Sequence, residues 1–524
     1  MFIKTKQQNY NQKTLGFVYP VEDISFAGII YIYGTGSTAT AFFAWLLKCR
    51  PKVCVAGFID SVASGVYMNL PVYTVDAFVN SIKEKSYDEI LVLSSAYYEI
   101  EQKLQMLGLK KYRVITPPVY LVANILFDPD DMKKKYQQLV SKKVIDSPKL
   151  HLFFGENLGH FVGNNKYFFL YLKKIYPDKV YWVAKDKACI DMLKKYRLPL
   201  IDANADDFVD WLNRASHFYF DKMTWQKAYP WLRYFDAKII HTSHGVGLKY
   251  TELMQIPDDF MQKLEVKEKQ WLYKNIFDND LLLSTSQFYA KNVSEPGYGT
   301  SENKISLAGY PKNDVLYHPI EGENIFTDEV ALTTIQQKKS NGYKVICYTP
   351  TCRHMNANHQ DKNALNLQKI NDYCEKIKAL FVLKGHGLTN ISKQNLDRFS
   401  HLLEYDNSAD VYPLLRDTDL LISDYSSIFT DFLHVRKPII FYPYDFETFI
   451  SDHNPLQFDY DEMTPGPKAL NWNELEKWLS YFLIEGKDKF QLQRDKIFSM
   501  AYQNKSSGAS ERLLADMRKM QLLN

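Results

Sequence analysis

The sequence contains little cysteine and almost no net charge. Its six cysteines are scattered over 524 residues, and no two of them form a CxxC pair. This pattern supports neither a zinc ribbon nor a disulfide framework, and a reducing cytoplasm is the simplest setting. A formal net charge of +3 is too small to indicate nucleic acid as a partner.

Long apolar runs are also missing. No stretch of about 18 apolar residues occurs, and the amino terminus lacks the apolar core of a signal peptide. We therefore expect a chain that does not span a membrane. The segments 130–144 and 263–275 mix lysine with apolar or aromatic residues, as interfacial helices do. Each segment either forms a solvent-exposed helix face or lies against the inner surface of the cell membrane.

What is present indicates a globular α/β protein of several domains. The apolar share is 46% and the charged share 24%, which is typical of a packed core. The length suffices for about three domains. Strand-like apolar runs alternate with segments of helical length, which predicts parallel sheets.

The first such series, over residues 1–125, carries a glycine motif. A strand at 28–33 leads into the pattern GxGxxA, with Gly34 and Gly36, and a second strand ends at Asp60. This order is typical of a dinucleotide-binding turn followed by an acid for the ribose. These three residues form a possible nucleotide site, and a purely structural module is the alternative. An NAD-dependent oxidoreductase ranks last, because nothing nearby resembles a site for hydride transfer.

The most informative stretch is DLLISDYSSIFTDFLHV at 419–435. An apolar strand runs into Ser426 and Ser427, and apolar residues then recur at helical spacing. Backbone N–H groups at the start of a helix have no intrahelical partner and favour an anion. The segment predicts a phosphate site, with a simple helix cap at Asp424 or Ser426 as the alternative.

Several short motifs follow one another in a fixed order. They are HGVGLK at 244–249, GYPKND at 309–314, YTPTCR at 348–353, LKGHG at 383–387, DYSS at 424–427 and KPIIFY at 437–442. Together they resemble the CDP-glycerol glycerophosphotransferase family, the teichoic-acid primases and polymerases and the related capsule polymerases. The resemblance covers roughly residues 150–480.

The resemblance and the strand pattern together imply a GT-B-like pair of Rossmann-like domains, preceded by a smaller Rossmann-like domain. We expect a basic helical linker at 126–149, an acceptor-side half at 150–325 and a donor-side half at 326–524. In such sheets ligands gather at the carboxyl ends of the strands, where the motifs fall.

The resemblance also implies roles for individual residues. His244 is the expected general base, and His386 faces it across the cleft and assists the leaving group. The expected substrate-binding residues are Gly245, Lys312, Pro350, Thr351, Arg353, Lys384, Ser426, Ser427 and Asp431. His241 makes an HxxH pair with His244, but no third ligand is placed for a metal. We expect no required cofactor, with Mg²⁺ on the donor pyrophosphate as an open alternative.

The implied function is transfer of a polyol phosphate from a CDP-activated donor to a hydroxyl of a lipid-linked or polymeric glycan, with release of CMP. Lys312 stands where the family commonly has arginine, and Ser243, Val246 and Gly247 also depart from its pattern. These departures leave the donor alcohol open. The alternatives are a nucleotide-sugar glycosyltransferase and a non-catalytic component of the polysaccharide assembly machinery.

Overall fold

The computed structural model describes most of the chain. It covers residues 28–35, 39, 42–43, 46, 53–61, 64–82, 87–93, 97–114, 149–255, 278–351, 365–385, 396, 398–452 and 456–523. Several predictions lie outside these residues: Gly36, Arg353 and His386, nearly all of the linker 126–149, and the basic segment 263–275.

The first sheet has six strands: β1 Ile29–Tyr33, β2 Cys54–Asp60, β3 Gly65–Tyr67, β4 Leu70–Thr74, β5 Glu89–Val92 and β6 Tyr112–Val114. Their order is β3-β4-β2-β1-β5-β6, and every pair except β3 with β4 is parallel. Helices α1 (Val75–Ile82) and α2 (Tyr97–Met106) connect them. The strand order reverses at β1, as in dinucleotide-binding sheets.

The second sheet is entirely parallel. Its strands are β7 Leu150–Phe154, β8 Val180–Ala184, β9 Leu200–Asp202, β10 Ala215–Phe220, β11 Lys238–His241, β12 Leu281–Leu283 and β13 Ile305–Ser306. They lie in the order β13-β12-β11-β10-β7-β8-β9. The associated helices are α3 Gly163–Ile175, α4 Lys187–Lys195, α5 Phe208–Asn213, α6 Thr224–Ala228, α7 Gln287–Tyr289 and α8 Glu295–Tyr298.

The third sheet is parallel as well. It consists of β14 Lys344–Thr349, β15 Ala379–Leu383, β16 Leu402–Glu404, β17 Leu420–Ser423 and β18 Ile439–Phe441, in the order β16-β15-β14-β17-β18. Its helices are α9 Glu329–Ser340, α10 Leu367–Ile377, α11 Tyr412–Asp417, α12 Ile428–Phe432, α13 Phe446–Asp452, α14 Tyr460–Met463, α15 Trp472–Leu483 and α16 Gln491–Ala501.

The strands β7, β15 and β17 are buried along their length, as expected for parallel strands covered on both faces. One hydrophobic cluster runs from the second sheet into the third unit and includes Phe153, Tyr219, Leu414 and Phe432. The ring of Phe153 stacks on that of Tyr219 with centroids 4.1 Å apart. The two units therefore share an apolar core, which fixes the facing edges of their sheets.

The last helix, α17 (Ala509–Lys519), returns to the second unit. The Asp314 carboxylate accepts hydrogen bonds from the backbone N–H groups of Gly508 and Ala509 at 2.8 and 2.9 Å. Ser306 Oγ donates to the carboxylate of Asp516 at 2.6 Å. The predicted half 326–524 thus ends in a helix that packs against the preceding half.

None of the helices in the described ranges has both the length and the apolar composition needed to cross a bilayer.

Candidate active site

The His244 loop begins where β11 ends. Two carbonyls in it, those of Thr242 and Ser243, accept hydrogen bonds from Asn164 Nδ2 at 3.0 and 2.7 Å. Ser243 adopts a φ of 59°, which turns the chain sharply before His244. The His244 side chain is exposed at the carboxyl edge of the second sheet. Its position is thus fixed by a buried amide at the start of α3.

This loop packs directly on the DYSS segment of the third unit. A Cβ atom on Gly247 would lie 3.0 Å from Ser427 Cβ, and one on Gly245 would lie 3.3 Å from Ser427 Oγ. Thr430 Oγ1 donates to the carbonyl of Val246 at 2.9 Å. The structure therefore brings together His244, Gly245 and Ser427, which the sequence analysis selected from motifs far apart in the chain.

Lys312 and Asp431 form a buried ion pair in the same place. Lys312 Nζ lies 3.0 Å from Asp431 Oδ2, and both side chains are almost completely buried. The same ammonium group donates to the carbonyl of His244 at 2.6 Å. Lys312 therefore links the His244 loop to the third unit, whereas the sequence analysis expects it on a phosphate.

The Asp431 carboxylate has two further donors. The hydroxyls of Tyr412 and Tyr502 each donate to one of its oxygens at 2.8 Å. Burial, followed by the charge of Asp431, raises the pKa of both phenols, so each keeps its proton for this bond. The expected contact of Asp431 with a donor hydroxyl stays a prediction, since in the structure these partners are protein groups.

The helix after Ser426 and Ser427 is short. α12 has five residues and continues as a 3₁₀ turn at Leu433–Val435, and Arg436 then adopts a φ of 61°. A single turn has a small macrodipole, so an anion here would depend on local N–H and hydroxyl donors. Ser426 Oγ accepts a weak bond from Ile428 N at 3.4 Å.

Asp424 fixes the neighbouring strand end. Its carboxylate accepts hydrogen bonds from the backbone N–H of Thr351 at 2.9 Å and from Thr351 Oγ1 at 2.7 Å. Pro350 packs so closely on Gly385 that a Cβ atom there would approach it to 2.5 Å. Thr351 and Pro350 therefore lie at the carboxyl edge of the third sheet, beside the serine segment. Asp424 therefore joins the ends of β14 and β17, whereas the sequence analysis considers it only as a helix cap.

Lys384 lies at the end of β15 but points toward its own unit. Its Nζ donates to the carbonyls of Asp406, Asn407 and Ala409 at 2.9, 3.2 and 2.9 Å. Burial lowers its pKa. Because an ammonium group has three donors, a phosphate contact would require exchange of one of these bonds. The substrate-binding role of Lys384 stays a prediction.

His241 is completely buried, and its ring lies 4.8 Å from that of Tyr298. Its Nδ1 accepts a hydrogen bond from the backbone N–H of Ser243 at 3.2 Å. Within the described ranges, no group of three or more histidine, cysteine or acidic side chains is arranged to hold a metal ion.

In the first unit, Gly34 follows β1, and Asp60 is the last residue of the adjacent strand β2. A Cβ atom on Gly34 would lie 2.9 Å from the carbonyl of Leu93, so the turn requires glycine. Asp60 accepts a hydrogen bond from Thr35 Oγ1 at 2.6 Å. The two residues therefore share the strand-end edge where a ribose would lie, and ligand binding there stays a prediction.

Sequence reasoning missed the residues that assemble the site. Asn164 organises the His244 loop and also accepts a hydrogen bond from the backbone N–H of Lys312 at 3.2 Å. The signal for it was a pair of asparagines at the start of an otherwise apolar helix. Tyr412 and Tyr502 gave no signal, because tyrosine is common throughout the chain.

Comparison with known proteins identifies the family. The sequence-family model of the CDP-glycerol:poly(glycerophosphate) glycerophosphotransferases matches residues 136–517. The chain belongs to this family. The match covers both units that form the site, and it confirms the resemblance inferred from the ordered motifs.

Curated relatives match over shorter stretches. Teichoic acid ribitol-phosphate polymerase TarK of Staphylococcus aureus is 29% identical over 246 residues, which is 44% of this chain and 42% of that protein. A teichoic acid poly(glycerol phosphate) polymerase of Bacillus spizizenii is 28% identical over 237 residues, covering 44% and 57%. The chain thus spans about half the length of the curated relatives it matches.

Among solved structures, the wall teichoic acid polymerase TagF superposes with a TM-score of 0.57 at 20% identity. The superposition covers 77% of this chain and 97% of that one. At this identity the likeness establishes the fold, an α/β arrangement with parallel sheets.

Proposed function

We propose that the protein is a transferase that moves a polyol phosphate from a CDP-activated donor to an acceptor hydroxyl and releases CMP. Membership of the family supports this reaction class. The observation that carries the proposal is the contact between the His244 loop and Ser427, which joins a basic side chain to a segment suited to phosphate.

The two parallel units take the roles of a GT-B pair in this proposal. The half at 150–325 presents the acceptor and the general base, and the half at 326–524 holds the CDP donor. The shared core and the parallel sheets with facing strand ends support such an arrangement.

His244 acts as the general base. Its imidazole takes the proton of the acceptor hydroxyl as the oxygen attacks the β-phosphorus of the donor. A new P–O bond forms, the bond from the β-phosphorus to the bridging oxygen breaks, and CMP leaves with that oxygen. His386 assists the leaving CMP. Lys312 contributes by holding the carbonyl of His244, which keeps the loop in place.

The donor phosphates are assigned to the carboxyl edge of the third sheet. Ser426, Ser427 and Arg353 are the proposed donors, since phosphoryl transfer depends mainly on positioning and charge neutralisation. Thr351 joins them by exchanging one of its hydrogen bonds to Asp424. No resident cofactor is part of the proposal. A Mg²⁺ ion carried by the donor pyrophosphate is compatible with it.

The acceptor in this proposal is a lipid-linked or polymeric glycan of the teichoic-acid or capsule type. The curated relatives are teichoic acid polymerases, primases and transferases, which supports this class of acceptor. Such an acceptor would place the protein at the cytoplasmic face of the membrane as a peripheral protein. Relatives named for ribitol phosphate and for glycerol phosphate both match, so either alcohol is a candidate donor group.

A donor panel tests the reaction class. The protein is incubated with membrane extract as the acceptor source and with CDP-glycerol, CDP-ribitol or nucleotide sugars, and released nucleotides are separated by chromatography. We expect CMP from one of the CDP-alcohols. Release of a nucleoside diphosphate from a sugar donor would instead identify a glycosyltransferase, and no release from any donor would favour a non-catalytic component.

A further inference from the structure

A second polar group lies beside the His244 loop on the same sheet edge. Phe220, the last residue of β10, pairs with Phe154 of β7 and with His241 of β11. The residues that follow therefore leave the sheet side by side. They are Glu156 after β7 and Asp221 with Lys222 after β10. The proposed mechanism uses none of these three.

Asp221 is an unusual member of this group. Its side chain is 1% exposed, and its Oδ2 has no hydrogen-bond partner among the described residues. A Cβ atom on Gly163 would lie 3.0 Å from this oxygen and 3.2 Å from Glu156 Oε1. One oxygen of each carboxyl group thus lies beside Gly163, at the start of α3. Burial, followed by the charge of Glu156, raises the pKa of Asp221.

Glu156 and Lys222 form an ion pair beside Asp221, and both are more exposed than Asp221 is. Lys222 Nζ lies 2.5 Å from Glu156 Oε2, and the two side chains are 35% and 14% exposed. Glu156 belongs to a turn in which Asn157 and Leu158 adopt φ values of 46° and 63°. Two consecutive left-handed residues cost free energy, so the fold maintains this turn against local strain.

The chemistry of the group matches a hydroxyl-rich ligand. A carboxylate accepts hydrogen bonds from hydroxyls, a protonated carboxyl both donates and accepts, and an ammonium group donates to hydroxyl oxygens. An unpartnered buried oxygen is costly, and a bound hydroxyl would supply the missing hydrogen bond. A phosphate alone fits less well, because two carboxyl groups each place an oxygen beside Gly163.

We propose that Glu156, Asp221 and Lys222 form the subsite for the hydroxyl groups of the acceptor's terminal polyol unit. This inference rests on the proposed function, because it names the part of the acceptor that lies next to His244. A purely structural ion pair would leave ligand binding unchanged when one partner is replaced by an isosteric residue.

The test is a ligand-observed NMR titration with glycerol 3-phosphate, performed with CDP present in excess to occupy the proposed donor site. Glu156→Gln keeps the size of the side chain, and Lys222→Met keeps most of its length. We expect both changes to weaken binding about tenfold or more, since each removes a charge-assisted hydrogen bond. Lys238→Met is the matched control, because Lys238 forms a surface ion pair with Asp280 at the opposite edge of the same sheet.

The outcomes separate this subsite from the reaction class. Weaker binding in both variants, with the affinity of the control unchanged, supports the subsite even if no CDP-alcohol is turned over. Unchanged affinity in Glu156→Gln, or no binding of glycerol 3-phosphate to the wild type, overturns it. CMP release by the wild type in the donor panel would then still support the proposed function.

Discussion

At the scale of single residues, the buried pair of Lys312 and Asp431 illustrates what sequence can and cannot provide. In the sequence, Lys312 belongs to the GYPKND motif, and Asp431 follows the DYSS motif. The spacing of four residues predicts that Asp431 and Ser427 share one helix face. The sequence cannot show that Lys312 and Asp431 meet, because their partners depend on how the two units dock. The structure makes them partners and assigns Lys312 to the carbonyl of His244.

Replacing one member of this pair is expected to destabilise the protein strongly. In Lys312→Met the Asp431 carboxylate stays buried without its countercharge, which costs about 3–5 kcal/mol. Denaturant unfolding followed by fluorescence measures the loss. Lys174→Met, in an exposed pair with Glu321, is the control and should leave the unfolding midpoint unchanged. Equal unfolding midpoints for the two variants would show that the buried pair contributes nothing to the stability of the protein.

Gly247 is expected to tolerate no side chain. In Gly247→Ala the new methyl group would meet Ser427 Cβ at 3.0 Å and push the His244 loop away from the serine segment. We expect kcat/KM for CMP release to fall, because Ser427 and the loop must separate by a few tenths of an ångström and catalysis depends on how the two are positioned. We also expect Gly247→Ala to lower the midpoint of denaturant unfolding. Adding Ser427→Gly removes the contacted Cβ atom, so the double variant should regain the wild-type midpoint. If the single variant kept full activity, the loop contact would have no part in catalysis.

At the scale of elements, apolar runs predicted the central strands well. VYWVA at 180–184 is β8, and the predicted runs ALFVLKGHG at 379–387 and DLLISD at 419–424 contain β15 and β17. The short strands β9, β13 and β16 were not predicted, since two or three residues give no periodicity. The helical spacing after Ser427 corresponds to α12 and the 3₁₀ turn that follows it, and the Lys437-Pro438 dipeptide disfavours further continuation.

The pairing of β7 with β10 creates a pH-sensitive element. The rings of His151 and His217 stack with centroids 4.7 Å apart. Burial lowers their pKa from 6.5 to about 3 and about 4. As the pH falls below 6.5, the unfolded chain binds protons before the folded protein does. The contribution of these histidines to the free energy of unfolding is therefore greatest above pH 6.5. It decreases toward pH 4 by up to about 1.4 kcal/mol per pH unit for each histidine.

Urea unfolding at pH 7 and pH 5 measures this dependence. His217→Gln should reduce the difference between the two midpoints, because one of the two buried histidines is gone. His318→Gln, at an exposed position outside the sheet, should leave the difference unchanged. A His217→Gln variant with the same pH dependence as the wild type would contradict the account of this strand pair.

At the scale of the whole molecule, the sequence predicted the parallel α/β units and the family. It did not predict which unit the last helix packs against. α17 returns to the second unit because Asp314 binds the backbone N–H groups at its start. Such a contact joins residues far apart in sequence, and no local pattern marks it. The same holds for the docking of the His244 loop on Ser427.

Loss of the Asp314 cap should loosen the carboxyl-terminal helix. Asp314→Ala removes the acceptor for the N–H groups of Gly508, Ala509 and Ser510, and we expect a loss of about 1–2 kcal/mol in the free energy of unfolding. Limited proteolysis should then release the end of the chain earlier. Asp186→Ala removes a cap within the second unit and should not accelerate that cleavage. Equal cleavage rates in both variants would contradict a docking role for Asp314.

The central claim is that the His244 loop and the Ser426–Ser427 segment form one catalytic site. It is tested most directly by CMP release and CDP binding in His244→Ala, with His318→Ala as the matched control. The account predicts that His244→Ala loses transfer by about a hundredfold or more while still binding CDP, since general-base catalysis contributes at least that factor. Full transfer activity in His244→Ala would contradict it.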